Sequence, residues 1–245
     1  MGLVPVGWSL RLHGEMAETE ESSGVGGSVS AARLHGLACA LVETPDSEHA
    51  GQVKPFSVAV PPACPRGEGM RIGWLDDTRL PDAEAWPGRR VWLGAAPVTV
   101  GAVERDAVSY ADLADAAPAS RVRVEFHTPT YVNRAGRQIP LPEPELLLGG
   151  LLRRWQHFSP VPVAEATATA LLERVHIAQH RVRTVAVPMR GGGRAGFVGH
   201  AVFGVPSKAD TVVKRLFAGL WRFAEYAGVG AQTTHGLGHV TVATR

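Results

Sequence analysis

The sequence predicts an α+β chain built from two tandem β-α-β-β-α-β units. Two observations predict it. Runs that alternate apolar and polar residues recur on both sides of residue 118, and stretches of helical periodicity separate them. The charge balance also reverses between the halves. Residues 1–118 carry 9 Lys and Arg against 16 Asp and Glu, whereas residues 119–245 carry 16 against 7. The net charge of +2 therefore conceals an acidic half and a basic half. The basic half either meets a polyanion or is a solvated surface.

Taken in order, residues 4–13 alternate as an opening strand, and residues 14–27, acidic and rich in Ser and Gly, read as a loop with no core of its own. Residues 28–43 have helical spacing, with Leu34, Leu37, Ala38 and Leu41 on one face and His35 one turn from Cys39. Pro45 ends that helix, and an acidic loop carrying His49 leads to a strand over 54–60 that starts at Lys54. Strands are expected over 70–75 and 91–103, with short helical turns at 81–86 and 109–116.

The second half predicts a strand over 121–126 ending in the turn His127-Thr128-Pro129-Thr130, then helices over 145–157 and 163–174. Arg153 and Arg154 fall on the outer side of the first of these helices. Strands over 177–187 and 195–205 flank a loop in which three glycines separate Arg190 from Arg194. A helix follows to Ala227, with Ser207 and Asp210 as its capping box and Val212, Val213, Leu216, Phe217, Leu220, Phe223 and Ala224 as its apolar face. Residues 239–244 form the last strand. Each half thus approximates the ferredoxin-like order, the second more closely. The expected domains are 1–118 and 119–245.

The composition is that of a globular protein, with 45% hydrophobic and 20% charged residues. The longest apolar run, Leu146 to Leu152, is too short to span a bilayer, and the first residues lack a signal-type apolar core. Two cysteines, Cys39 and Cys64, make neither a disulfide framework nor a zinc site. A cytoplasmic protein with no membrane contact, no cofactor and no metal is expected. His176 and His180 have i, i+4 spacing but no third ligand.

The densest signal is Gly228 to His239, which holds the pairs Gly228/Gly230 and Gly236/Gly238 around Ala-Gln-Thr-Thr-His. Backbone without side chains approaches a ligand closely, and successive N–H groups make an anion site. Such a segment is either a surface turn or a phosphate-backbone contact. A dinucleotide loop is disfavoured, because that loop follows a strand and opens a helix, and here the order is reversed.

Three stretches resemble a known family: residues 34–60, residues 126–155 with FHTPT, LPEP and RRW, and residues 223–240, FAEYAGVGAQTTHGLGHV. The family is the CRISPR-associated endoribonucleases that cut precursor guide RNA within its repeats, members of the RAMP superfamily of tandem ferredoxin-like domains. The resemblance implies binding of CRISPR repeat RNA and one metal-independent cut per repeat. The ribose 2′-OH would attack the adjacent phosphate, giving a 2′,3′-cyclic phosphate and a 5′-OH. It implies His49 as a proton-transfer residue and Lys54 as an aid at the phosphate. Cys39 stands where relatives often have a tyrosine. His35, one turn earlier, either fills that role or is a helix histidine satisfied by local hydrogen bonds.

RNA contacts are expected from Gly228, Gly230, Thr233, Thr234, His235, Gly236 and Gly238 of the glycine-rich loop, and from Arg153, Arg154, Arg190 and Arg194. The alternative is a non-catalytic RAMP subunit that holds RNA in a larger complex. Effector-complex subunits and a second copy of the chain are further candidate partners.

Overall fold

The computed structural model describes residues 4–14, 31–43, 53–61, 69–187 and 192–244. The expected loop over 14–27 therefore lies outside the described residues beyond Gly14, as do His49, Cys64 and Arg190.

The N-terminal half is a five-stranded antiparallel sheet. Its strands are β1 (Val6–His13), β2 (Phe56–Ala59), β3 (Gly69–Trp74), β4 (Arg90–Leu93) and β5 (Ala96–Ala107), in the order β2-β3-β1-β5-β4. Val6, Trp8, Leu10 and Leu12 alternate onto one face of β1. They meet Leu34, Leu37, Ala38 and Leu41 of helix α1 (Ala31–Val42). The expected strand over 91–103 is instead a hairpin, because Gly94 takes a positive φ of 69° and turns the chain between β4 and β5. The second helix of this unit is reduced to a single 3-10 turn, Ala83–Ala85. Helix α2 (Tyr110–Ala114), capped by Ser109, packs Tyr110 and Leu113 into the C-terminal core.

The C-terminal half has strands β6 (Arg121–Thr130), β9 (His176–Val187), β10 (Arg194–Gly204) and β11 (Val240–Thr244). Their order, β11-β6-β10-β9, is that of a ferredoxin-like sheet. The expected turn at 127–130 is not a turn. β6 runs through it, Phe126 pairing with Val240 and Thr130 with Phe197. A small hairpin, β7 (Val132–Arg134) and β8 (Arg137–Ile139), then precedes helix α3 (Pro144–Phe158). Pro144 opens α3 at a position where its missing N–H costs nothing.

Helices α3, α4 (Glu165–Leu172) and α5 (Thr211–Ala227) cover one face of this sheet. Leu147, Leu148, Leu151, Leu152 and Trp155 of α3 meet Phe217, Leu220, Trp221 and Phe223 of α5 over Phe126, Phe197 and Phe203. The expected capping box of α5 does not form. Asp210 is the N-cap residue without a side-chain hydrogen bond, because residues 206–209 make their own turn, with Ala209 N–H donating to Pro206 O. Val212, expected on the apolar face, is 62% exposed; Val213 turns inward instead. Among the described residues no helix is long and apolar enough to cross a membrane.

Trp221 is fully buried and stacks on Phe203 with ring centroids 4.5 Å apart. Trp221→Ala is expected to cost about 3–5 kcal/mol in a urea unfolding titration. Val212→Ala should change stability by less than about 0.5 kcal/mol.

Candidate active site

The glycine-rich loop does not project into solvent. It folds back over the joint between the halves, with a 3-10 turn at Thr233–His235 set against α1 and β2. Ala231 N–H donates to Tyr131 O and Gly238 N–H to Pro129 O, so both ends of the loop are tied to the β6 end. Gly238 has φ 73°, and a Cβ there would collide with Val229 O. Gly230, at φ 77°, is equally constrained by Tyr131 O. Gly228 takes the expected positive φ, 67°, directly after α5.

This folding brings histidines from the two halves together. His35 of α1 stacks on His235 with centroids 4.1 Å apart and planes 2° from parallel. His35 Nδ1 lies 2.9 Å from Thr234 O. A carbonyl oxygen only accepts, so Nδ1 carries a proton and, in the neutral ring, Nε2 carries the lone pair. Nε2 faces Cys39 Sγ at 3.5 Å. Burial, reinforced by Glu43, pushes the Cys39 thiol up to about 11, so at neutral pH it is an S–H donor and not a nucleophile.

Lys54, just before β2, pairs with Glu43 at 3.3 Å, so His35, Cys39, Glu43 and Lys54 form one polar row from α1 to β2. Burial and then the His35 charge hold His235 down at about 4, which leaves His235 neutral near pH 7. Glu43 and the His35–His235 stack are features of the site that sequence reasoning missed. No local spacing pointed to either.

The arginines divide. Arg153 is exposed on the outer side of α3, as expected. Arg154 is not: it turns inward to the joint. Its Nη1 donates to Ala227 O and, at 3.1 Å, to Thr233 Oγ1. Its Nη2 donates to Lys54 O at 3.3 Å and Phe56 O at 3.2 Å. Arg194, exposed at the start of β10, donates to the Gln138 side-chain oxygen at 2.6 and 2.9 Å when that amide is oriented to accept. His176 and His180 lie on β9, and among the described residues no group of three or more His, Cys, Asp and Glu could hold a metal ion.

A second polar row lines the opposite side of the joint. Arg71 of β3 holds Asp106 at 2.8 and 3.0 Å and lies over the Tyr226 ring. His239, beside His127, is held down at about 4 by burial, then by His127 and Arg71. Both His235 and His239 thus bind their proton more weakly in the folded chain than an unfolded histidine, near 6.5, does. Between about pH 4 and 6.5 the unfolded chain holds more protons, so stability rises with pH across that window and is lost as pH falls through it. His239→Gln should flatten this dependence, measured as the change in unfolding free energy between pH 7 and pH 4.5. An unchanged slope would show that His239 does not titrate as its surroundings require.

Known proteins resemble this chain in sequence and in fold. The family model described as CRISPR-associated endoribonuclease Cas6 matches residues 124–240. CRISPR-associated endoribonuclease Cas6 proteins of two Mycobacterium tuberculosis strains are 29% identical over 154 residues, covering 60% of this chain and 48% of theirs. The match thus spans about half the length of these curated relatives. A solved Cas6 product complex is 29% identical with a TM-score of 0.82, covering 98% of this chain and 99% of that one. A Cas6 substrate mimic complex is 29% identical with a TM-score of 0.78, over 99% and 100% of the two chains.

Proposed function

We propose, from its likeness to CRISPR-associated endoribonuclease Cas6 proteins, that this chain is a member of that family, binds CRISPR repeat RNA and cuts precursor CRISPR RNA once in each repeat. The observation that carries this reading is the seat of His35. An imidazole from the acidic half, its Nδ1 committed to Thr234 O, sits against the glycine-rich loop of the basic half with Lys54 on the same polar row.

In the proposed reaction the 2′-oxygen forms a bond to the adjacent phosphorus as the bond from phosphorus to the 5′-oxygen breaks. His35 Nε2 exchanges its contact with Cys39 for the 2′-OH and accepts that proton, and His49 returns a proton to the leaving 5′-oxygen. The products are a 2′,3′-cyclic phosphate and a 5′-OH. Histidine suits both roles because its ordinary pKa is close to the operating pH. Lys54 supplies positive charge where the phosphorane gathers negative charge. The scheme needs no metal ion. The role of His49 rests on the family resemblance.

Repeat RNA is held in this reading by the more open part of the glycine-rich loop from Gly230 to His235, including Thr233, Thr234 and His235, and by Arg153, Arg190 and Arg194. Gly228, Gly236 and Gly238, expected as contacts, are buried and shape the loop instead. Other effector-complex subunits and a second copy of the chain are candidate partners, and the cytoplasm is the proposed compartment.

Repeat RNA should be cut in excess EDTA, and a 2′-deoxy nucleotide at the cleavage site should block cutting. Loss of cutting with chelator, or cutting without that hydroxyl, contradicts the scheme. His35→Ala should slow single-turnover cleavage about 10²–10⁴-fold with little change in RNA affinity. RNA bound but left uncut by the wild-type protein would assign the non-catalytic role instead. Affinity should also fall steeply with salt, and Arg153→Ala and Arg194→Ala should each make the salt slope shallower.

A further inference from the structure

We infer that Arg154 is a positioning residue: it fixes the glycine-rich loop, and with it His35 and His235, against β2 and the Lys54 that leads into it. Two surfaces meet here, and each turns backbone carbonyl oxygens toward Arg154. β2 is an edge strand of the N-terminal sheet. Its inner partner takes the Pro55 carbonyl, through Leu75 N–H, while the Lys54 and Phe56 carbonyls face Arg154. Opposite lies the C-terminal end of α5, whose last carbonyls have no partner within the helix. Ala227 O is one of these.

Acceptors do not bond to one another, so the joint needs a donor with several N–H groups in a rigid fork, which describes a guanidinium. Arg154 supplies it from α3. Its positive charge also complements the negative end of the α5 dipole. Burial lowers its pKa to about 10, and it remains charged at neutral pH.

The fourth acceptor gives the clamp its functional meaning. Thr233 Oγ1 belongs to the 3-10 turn that also contains Thr234, whose carbonyl orients His35, and His235, which stacks on it. One side chain therefore joins Lys54 and β2 to the turn that sets the His35 tautomer. Both guanidinium nitrogens named are taken up by protein acceptors, so the expected RNA contact by Arg154 gives way to this role. The inference rests on the proposed cleavage reaction for its catalytic consequence, but not for its structural one.

The test uses the full chain and reads both. In Arg154→Met, hydrogen exchange at His235 and Leu237 N–H should quicken, while Ala231 and Gly238 N–H, anchored on Tyr131 and Pro129, stay protected. Single-turnover cleavage of bound repeat RNA should slow on the order of 100-fold, the effect of a misplacement near 1 Å, with affinity within a few-fold of wild type. Arg154→Lys keeps the charge without the fork and should recover only part of the rate. Thr233→Val, which removes the loop anchor and leaves Arg154 in place, should reproduce the faster exchange in RNA-free protein even where Arg154→Met fails to fold. Unchanged exchange in Thr233→Val and in a folded Arg154→Met would overturn the clamp. So would weakened RNA binding with an unchanged rate for bound RNA. A wild-type protein that does not cut sinks the cleavage proposal alone, since the exchange measurement still decides the clamp.

Discussion

The two halves of this protein meet at the Arg154 guanidinium, to which the edge of the first sheet and the end of α5 both turn backbone carbonyls. Side-chain donors make the junction. Arg154 bridges the two sides, and Ser57 of β2 adds a second link, its hydroxyl donating to Tyr226 O at 2.6 Å. The seat of His35 depends on that joint, because the imidazole belongs to the first half and Thr234 O, which accepts from its Nδ1, belongs to the second.

The site follows from the joint by short steps. The glycine-rich loop leaves α5 at Gly228 and returns into β11, and its glycines let it lie flat against the first half. Thr234 O then reaches His35, and His235 covers one face of the same ring. Burial, and then the charge of His35, holds His235 neutral near pH 7. The polar row from His35 through Cys39 and Glu43 to Lys54 thus lies along the first half while the second half closes over it.

Much of the second half was legible because its elements follow the pleat and helix periods cleanly. Phe126, Phe197 and Phe203 alternate inward, and the Leu147-to-Trp155 stripe marks α3. The first half was harder. Its second helix shrinks to Ala83–Ala85, and Gly94 folds one expected strand into a hairpin. The Thr-Pro-Thr segment looked like a turn, yet pairing with Val240 and Phe197 keeps it extended, tertiary contact overriding local preference.

Within the site, the glycine-rich loop, His35 and Lys54 were visible as residue types, and their meeting was not. His35 and Thr234 lie 199 positions apart, and no local pattern encodes that distance. Arg154 shows the same limit from the other side. Adjacent to Arg153 in sequence, it has the same charge and opposite surroundings, and only the packing of α3 tells them apart.

The central claim is that this joint presents an imidazole to a ribose hydroxyl, so that RNA itself supplies the nucleophile. End-group analysis of a repeat RNA cleaved by the protein tests it most directly. A 2′,3′-cyclic phosphate on the upstream fragment and a 5′-hydroxyl on the downstream fragment are the predicted result. A 3′-hydroxyl with a 5′-phosphate would mean that water attacked instead, and would contradict the account.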